Sequence, residues 1–290
     1  MTPSTEPPEG RRPGPGGRFA DVRWLDETGS TNADVLELAR QGEAEGVVVV
    51  ADHQHAGRGR RGRTWEAPAG ASLMFTVLLR PPADLVGCAT MAISVAAATA
   101  VEELTAVSPR LKWPNDLVWP GDGSAPDRKL AGVLAEADWP AGVTASGGPP
   151  RTSGHDRVAV AVGLGLNVAW ATRAPEHLAD VAVALDGIVE PAEVPERSVL
   201  LAAILRELDR WYAPIAVGTS LGTERDRAVE ALRAEWKRRS ATLGRRVRVD
   251  LGVDDVEGVA VDVTGDGLLV VDTDEGVRRT FAVGDVHHLR

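Results

Sequence analysis

The sequence predicts an α+β protein: a mixed β-sheet domain with flanking helices, followed by a small C-terminal β-barrel. Three observations predict it. Short apolar runs rich in β-branched residues recur between residues 46 and 168. Two long amphipathic patterns follow between residues 195 and 240. Four short β runs with Gly and Asp turns then fill the C-terminus. We therefore expect a disordered tail over residues 1–18, a main domain over 19–240 and a barrel over 241–290.

The composition limits the class of protein. A formal net charge of -10 argues against a general nucleic-acid binder, because such proteins concentrate positive charge over a face. The single cysteine, Cys88, excludes an internal disulfide and fits a reducing compartment, so we expect a cytoplasmic protein. The N-terminus has no apolar core typical of a secretory signal. The apolar run 87–101 leads directly into Glu102 and Glu103, which predicts a buried helix and no membrane span.

The first half of the main domain alternates helices with strands. Ser30 or Thr31 caps a first helix that Gly42 ends, and Val35, Leu36 and Leu38 supply its apolar side. A second helix is predicted over residues 87–107. The expected strands are 46–52, 71–80, the two arms of 110–119, 129–138 and 157–168.

Loops and helices complete the main domain. Two Gly/Pro/Ser-rich segments, 120–127 and 139–156, predict exposed loops. Apolar residues at spacings of three and four predict helices over 195–215 and 224–240. Beyond residue 243, the runs "RRVRVDL", "VEGVAVDVT", "GLLVVDT" and "VRRTFAV" predict four strands.

The segment Gly57–Arg63, here called the arginine loop, carries three glycines and four arginines in an acidic chain. Glycines let a backbone approach a ligand closely, and arginines are charged forks suited to phosphate or carboxylate. This combination favours a phosphate-bearing ligand, although a solvated basic loop or an RNA-binding patch fits the residues equally well. The chain has no phosphate-binding G-x-x-x-x-G-K-[ST] loop, and "GLGLN" at 163–167 lacks the third glycine of a dinucleotide site.

Other polar groups stand at predicted strand ends. In "KWPNDL", Pro114 fixes a corner that presents Lys112, Asn115 and Asp116. A capped turn with a salt bridge explains this corner as well as a functional site does. Considered alone, Lys129 is expected to be an ordinary surface lysine, and "STN" at 30–32 is expected to be an ordinary helix cap.

The order of these motifs is more specific than any one of them. "STN", "QHAGRGRRGRTW", "KWPNDL", "RKLAGVLAE" and "VGLGLN", followed by a small β domain, resemble biotin protein ligase from about Trp24 to Arg290. The resemblance implies an α+β catalytic domain with a Src-homology-3-like barrel. It implies that biotin and ATP form biotinyl-adenylate and pyrophosphate. The biotinyl group then passes to a lysine of a biotin carboxyl carrier domain of a biotin-dependent carboxylase, and AMP is released.

The resemblance also implies roles for individual residues. Lys112, Arg58 and Asp116 would be catalytic, with Asp116 helping the incoming lysine. The other positions would bind the two ligands. The biotin set is Ser30, Thr31, Asn32, Gln54, Gly57, Arg58, Gly59, Arg60, Trp65 and Lys129. The ATP and adenylate set is Arg60, Arg63, Trp65, Asn115 and Asn167. Mg²⁺ is expected with ATP, although the resemblance names no ligand for it.

Three rival functions remain to be weighed. A lipoate–protein ligase would use the same two-step logic, but "KWPND" and the arginine loop favour biotin. A biotin-sensing DNA-binding repressor would need a reader domain, and only about twenty disorder-prone residues precede the expected fold. A biotin acceptor would place methionines beside a lysine, and Met1, Met74 and Met91 do not. We expect no nucleic acid and no membrane as partners, and both monomer and dimer stay open.

Overall fold

The computed structural model of this chain describes residues 11–13, 16–121, 126–139, 157–170, 173–217, 223–252, 254–282 and 284–289. The four helices in these ranges are α1 (Thr31–Arg40), α2 (Val86–Thr105), α3 (Arg197–Val217) and α4 (Thr223–Arg239). The strands that form the large sheet are β1 (Arg11–Pro13), β2 (Asp21–Thr28), β3 (Val48–Gln54), β4 (Ser72–Leu79), β5 (Arg110–Lys112), β6 (Asp116–Trp119), β7 (Arg128–Asp138) and β8 (Ala159–Asn167).

The large sheet has eight strands in the order β1-β2-β3-β4-β8-β7-β6-β5. The pair β2–β3 is parallel and the other neighbours are antiparallel, so the sheet is mixed, as expected. Successive side chains of a strand point to opposite faces of the sheet, and the side chains of β3 are packed on both faces. Val49 packs with α1 around Val35, whereas Val48 and Val50 join the main core beneath α2 and α3. The α+β class is confirmed.

Helix α2 is the apolar run of the sequence. The segment Ala83–Thr105 is long and apolar enough to cross a membrane by composition, yet 67% of its most apolar window is buried inside the protein. Its buried face includes Ile93, Val95 and Ala97, which lie in the same core as the sheet and α3. This burial is the one expected for the central helix of a folded domain.

The C-terminal strands form a second, antiparallel sheet of five strands in the order β12-β11-β10-β9-β13. Its strands are β9 (Arg246–Asp250), β10 (Asp255–Val263), β11 (Leu269–Thr273), β12 (Arg278–Phe281) and β13 (Asp285–His288). The sequence predicted the first four, and β13 was missed. An all-β unit after the helices agrees with the expected small barrel, while the boundary at residue 241 stays a prediction.

The turn between β10 and β11 docks this second sheet onto the main domain. The carbonyl oxygen of Gly267 accepts a hydrogen bond from the indole N–H of Trp113 at 2.9 Å. The turn also touches the first turn of α2, where a Cβ added at Gly87 would lie 1.9 Å from the carbonyl oxygen of Asp266. The two units therefore meet at the proline corner of "KWPNDL".

The N-terminal segment departs from the expected disordered tail. Residues 11–13 pair antiparallel with β2, and Arg18 forms ion pairs with Glu45 and Asp209. Ion pairs and edge-strand pairing thus hold part of a segment that has few apolar side chains, and the extent of a disordered tail over residues 1–18 stays a prediction. Residues 1–10, 14 and 15 lie outside the described residues. So do 122–125 and 140–156, which hold most of the two expected loops.

Candidate active site

One cavity lies at the ends of the central strands, between the two sheets. The arginine loop, the start of α1, the proline corner and the first residues of β13 surround it. Most of the residues that the sequence selected line it: Ser30, Thr31, Asn32, Gln54, Arg58, Gly59, Arg60, Arg63, Trp65, Lys112, Asn115, Asp116 and Lys129. Residues separated by nearly a hundred positions are therefore brought to one place by the sheet.

The start of α1 forms the innermost polar wall. Ser30 stands at the N-cap position, but its side chain makes no capping hydrogen bond. Instead, the backbone N–H of Thr31 donates to Oε1 of Gln54 at 2.9 Å, and the hydroxyl oxygens of Thr31 and Thr76 lie 2.8 Å apart. The side chains of the "STN" segment are buried, so they supply hydroxyl and amide groups in a site shielded from water.

Asn32 connects this wall to the outer loop. Its amide nitrogen donates to Oε2 of Glu136 at 2.8 Å, and its Oδ1 accepts from Thr76 at 2.7 Å. The other carboxylate oxygen of Glu136 accepts from Arg58 at 3.0 Å. Thr76 and Glu136 were missed from sequence because each is an ordinary residue inside a strand, with no motif around it.

Glycines make the floor of the cavity. A Cβ added at Gly163 would lie 2.3 Å from Oδ1 of Asn32, and one at Gly165 would lie 2.5 Å from Cε2 of Trp65. The Trp65 ring also covers Gly132, and the ammonium of Lys129 stands 5.5 Å from the ring centroid. These close approaches explain why "GLGLN" is glycine-rich: side chains at either position would meet a rigid group.

Trp65 has one unsatisfied atom. Its indole Nε1 is buried and has no hydrogen-bond partner among the described residues. A buried donor without a partner is costly, and in native proteins it commonly marks a place where a bound molecule completes the bond. Trp65 is itself held in place, because its backbone N–H donates to the carbonyl oxygen of Gly57 at 2.9 Å.

The proline corner presents its polar groups from a fixed backbone. Lys112 ends β5 and Asp116 begins β6, while the backbone N–H of Trp113 donates to the hydroxyl of Thr242 at 3.0 Å. The side-chain amide of Asn115 donates to the carbonyl oxygen of Val133, which fastens the corner to β7. The corner is therefore a rigid platform at the cavity wall.

The two lysines of the site differ in charge environment. Lys129 forms an ion pair with Asp116, with 2.6 Å between Nζ and Oδ1. No carboxylate in the described part of the chain forms an ion pair with Lys112. Burial, with the nearby positive charges of Lys112 and Arg245, lowers the pKa of His288 to about 4, so this imidazole is neutral at neutral pH. Lys112 is therefore the cation best placed to receive an added anion.

The arginine loop meets carboxylates of its own protein. Arg60, Arg61 and Arg63 all reach Asp285, and the guanidinium of Arg60 also donates to the carbonyl oxygen of Gly284 at 3.2 Å. Burial of the Arg60 guanidinium lowers its pKa below the usual value. Asp285 was missed from sequence because it lies 222 residues from Arg63.

Two predicted site residues lie away from the cavity. Gly57 lines the adjoining groove and supports Trp65, since a Cβ added there would lie 2.6 Å from the Trp65 carbonyl oxygen. Asn167 is buried at the end of β8, where its amide donates to the carbonyl oxygens of Lys129 and Val183. In this arrangement Asn167 supports the strand that carries Lys129, and its expected place near the nucleotide stays a prediction.

Comparison with known proteins decides the family. Residues 25–143 match the biotin/lipoate A/B protein ligase family, and residues 242–289 match the biotin protein ligase C-terminal domain. The biotin--[acetyl-CoA-carboxylase] ligase of Mycobacterium tuberculosis is 37% identical over 289 residues, covering 96% of this chain and 91% of that protein. The chain belongs to the biotin protein ligase family.

Two further relatives agree with this assignment. The biotin--[acetyl-CoA-carboxylase] ligase of Paracoccus denitrificans is 32% identical over 85% of this chain and 92% of its own length. The biotin protein ligase of Aquifex aeolicus, solved in complex with biotin and ATP, superposes with a TM-score of 0.66 at 25% identity. That structure covers 93% of this chain and 98% of its own. The resemblance that the motifs indicated is confirmed for this ligase.

Proposed function

We propose that this chain activates biotin with ATP and then attaches it to one lysine of a biotin carboxyl carrier domain. In the first step an oxygen of the biotin carboxylate attacks the α-phosphorus of ATP. The bond to the pyrophosphate oxygen breaks, and biotinyl-adenylate and pyrophosphate are formed. In the second step the neutral amine of the acceptor lysine attacks the acyl carbon, AMP departs, and the amine loses its proton to solvent.

The observation that supports this proposal is the convergence of five separate motifs on one cavity. Its inner wall offers hydroxyl and amide groups from Thr31, Asn32 and Gln54, which suit the donors and acceptors of a ureido ring. Its glycine floor and Trp65 provide an apolar slot for the rest of a small bicyclic molecule. The cationic groups that line the cavity come from the arginine loop, the proline corner and Lys129.

Charge then orients the two reacting groups. Lys129, already paired with Asp116, would receive the biotin carboxylate as a second anion, so Asp116 would hold Lys129 in place until substrate arrives. Lys112 would face the phosphate and stabilise the charge that develops at phosphorus. Asn115, on the same corner, would lie near the nucleotide. Holding carboxylate and phosphate together against their repulsion is the main requirement of this step.

The arginine loop would cover the mixed anhydride. Arg58, Arg60 and Arg63 border the cavity, so their guanidinium groups can exchange internal carboxylates for ligand phosphate. Covering the intermediate also keeps water from hydrolysing it before a carrier lysine arrives. Asp116, at the same wall, would orient the incoming lysine.

Mg²⁺ is proposed to enter bound to ATP. No group of three or more His, Cys, Asp or Glu side chains in the described ranges is arranged to hold a metal ion. Mg²⁺ binds through few protein carboxylates and keeps substrate phosphates and water as its other ligands, which agrees with such a site.

The partner would be a carrier domain of a biotin-dependent carboxylase, and we propose a cytoplasmic location, where one unpaired cysteine is stable.

The first half-reaction provides the test of this proposal. The purified protein should exchange labelled pyrophosphate into ATP only when biotin is present. The same preparation should be stabilised against heat by biotin and not by lipoate, because ligand that binds only the folded state raises the melting temperature. Exchange that depends on lipoate, or on neither acid, would contradict the assignment of biotin as substrate.

A further inference from the structure

Arg61 differs from the other arginines of the arginine loop. Arg58, Arg60 and Arg63 line the cavity, whereas Arg61 lines only the adjoining groove against the C-terminal sheet. Its Nη1 donates to the carbonyl oxygen of Asp250 at 3.4 Å and lies 3.6 Å from the carboxylate of the same residue. It also stands 3.5 Å from Oδ2 of Asp285.

The backbone of Arg61 is unusual as well. Its φ of 55° and ψ of 34° place it in the left-handed region, which a residue with a Cβ adopts unfavourably. The side chain fits closely, because a Cβ added at Gly252 would come 2.6 Å from its Nη2. The contacts of the guanidinium therefore favour a backbone turn that would otherwise cost free energy.

The two carboxylates it meets are neighbours in the C-terminal sheet. Asp285 in β13 stands directly opposite Asp250 in β9. Like charges placed opposite each other on adjacent strands repel and destabilise the pair. A cation between them removes this repulsion, and Arg61 is within 3.6 Å of both. Asp285 also pairs with Arg60 and Arg63, whereas Asp250 pairs with Arg61 alone among the arginines of the loop.

We propose that Arg61 is a positioning residue that clasps the arginine loop to the Asp250–Asp285 pair of the C-terminal sheet. The clasp holds Arg60 and Arg63 at the cavity before substrate arrives. The C-terminal domain then acts on the reaction by setting the position of this loop. This inference rests on the proposed function for its consequence, but the clasp itself is a property of the protein without ligands.

The experiment measures trypsin cleavage of the loop in the full-length protein without substrates. Cleavage after Arg58 and Arg63 reports how often the loop leaves the sheet, since protease acts on the opened form. Arg61→Gln removes the charge but keeps a long polar side chain. We expect its cleavage to be faster by about 1.5-fold to fivefold, the range for partly exposed ion pairs. Arg61→Lys keeps the charge and should stay near the original rate.

A second variant tests the clasp from its other side. Asp250→Asn should raise cleavage at the same positions, because Arg61 is the one arginine of the loop that pairs with Asp250. Arg278→Gln is the matched control, because it breaks an exposed Arg–Asp pair of the same sheet away from the loop and should change nothing. Melting temperatures of all variants show whether the fold is kept.

The outcomes separate cleanly. Faster cleavage in Arg61→Gln and Asp250→Asn, with Arg61→Lys near the original rate, supports the clasp. Unchanged cleavage in either neutral variant overturns it, and so does equal acceleration by Arg61→Lys and Arg61→Gln. Failure of the unmodified protein to exchange pyrophosphate would instead contradict the proposed function and would leave the cleavage result unaffected.

Discussion

Gly165 provides a sensitive test of the cavity floor. A Cβ at this position would lie 2.5, 2.6 and 2.9 Å from Cε2, Cζ2 and Nε1 of Trp65. Carbon atoms in contact are normally about 3.5–4.0 Å apart, so the methyl group of Gly165→Ala would displace a rigid indole by about 1 Å. Gly132, which pairs with Gly165 on the neighbouring strand, also contacts the ring, so the ring can move only away from this floor and into the cavity.

The cost of this displacement sets the expected effect. Overpacking of this kind typically costs about 1–3 kcal/mol, or roughly fivefold to 150-fold in an equilibrium constant. We expect Gly165→Ala to weaken biotin binding by that factor, because Trp65 would enter the space that biotin needs. The melting temperature should change by only a few degrees, since the ring can move without disturbing the core.

Isothermal calorimetry with biotin measures the effect, and a second glycine controls for the added methyl group. Gly187→Ala places its Cβ at an ordinary contact distance of 3.5 Å from Val183, and it should bind biotin normally. If Gly165→Ala binds biotin as tightly as the unmodified protein, the floor beneath Trp65 is not the biotin site and our account of the cavity is wrong.

Three further predictions concern the charged groups and the N-terminus. Lys112→Ala should lower adenylate formation by roughly a hundredfold to a thousandfold with an unchanged melting temperature, and near-normal pyrophosphate release would contradict this. Arg60→Gly should release adenylate about tenfold to a hundredfold faster, seen as biotinylation of a bystander protein, because a charge-assisted contact is lost. No rise in bystander labelling, while adenylate is still made, would count against the loop as the retaining element. A truncation that starts at Phe19 should keep ligase activity, but its melting temperature should fall by about 2–4 °C for each kcal/mol of stability lost with Arg18. The control is a truncation that starts at Arg11 and keeps Arg18. Equal melting temperatures of the two truncated proteins would show that the Arg18 ion pairs contribute nothing to stability.

Local sequence patterns explain which elements were predictable. Long apolar runs in the sequence predict α2 and β4, and the predicted ends of both elements lie within two residues of the observed ends. β2 was missed because its strand is half exposed and rich in charge, so it lacks the alternation of a buried strand. β13 is four residues long, and pairing with β9, rather than propensity, makes it a strand.

Some residues of the candidate site could be predicted from local sequence patterns, and others could not. Motifs that are short and unusual, such as the arginine loop and the proline corner, could be selected from the sequence and do line one cavity. Their partners could not. The four arginines of the loop carry like charges, and the sequence named no anionic partner for them within the protein. The structure supplies Asp285 from a distant strand, and no local pattern marks one aspartate among many as that partner.

The central claim is that the cavity transfers biotin to one lysine of a carrier domain. The most direct measurement is the intact mass of a biotin carboxyl carrier domain after incubation with this protein, biotin, ATP and Mg²⁺, followed by peptide mapping. The account predicts one added biotinyl group on a single lysine, no addition without ATP, and a strongly reduced rate with Lys112→Ala. A carrier domain that gains no mass under these conditions, or gains as much from lipoate as from biotin, would contradict the account.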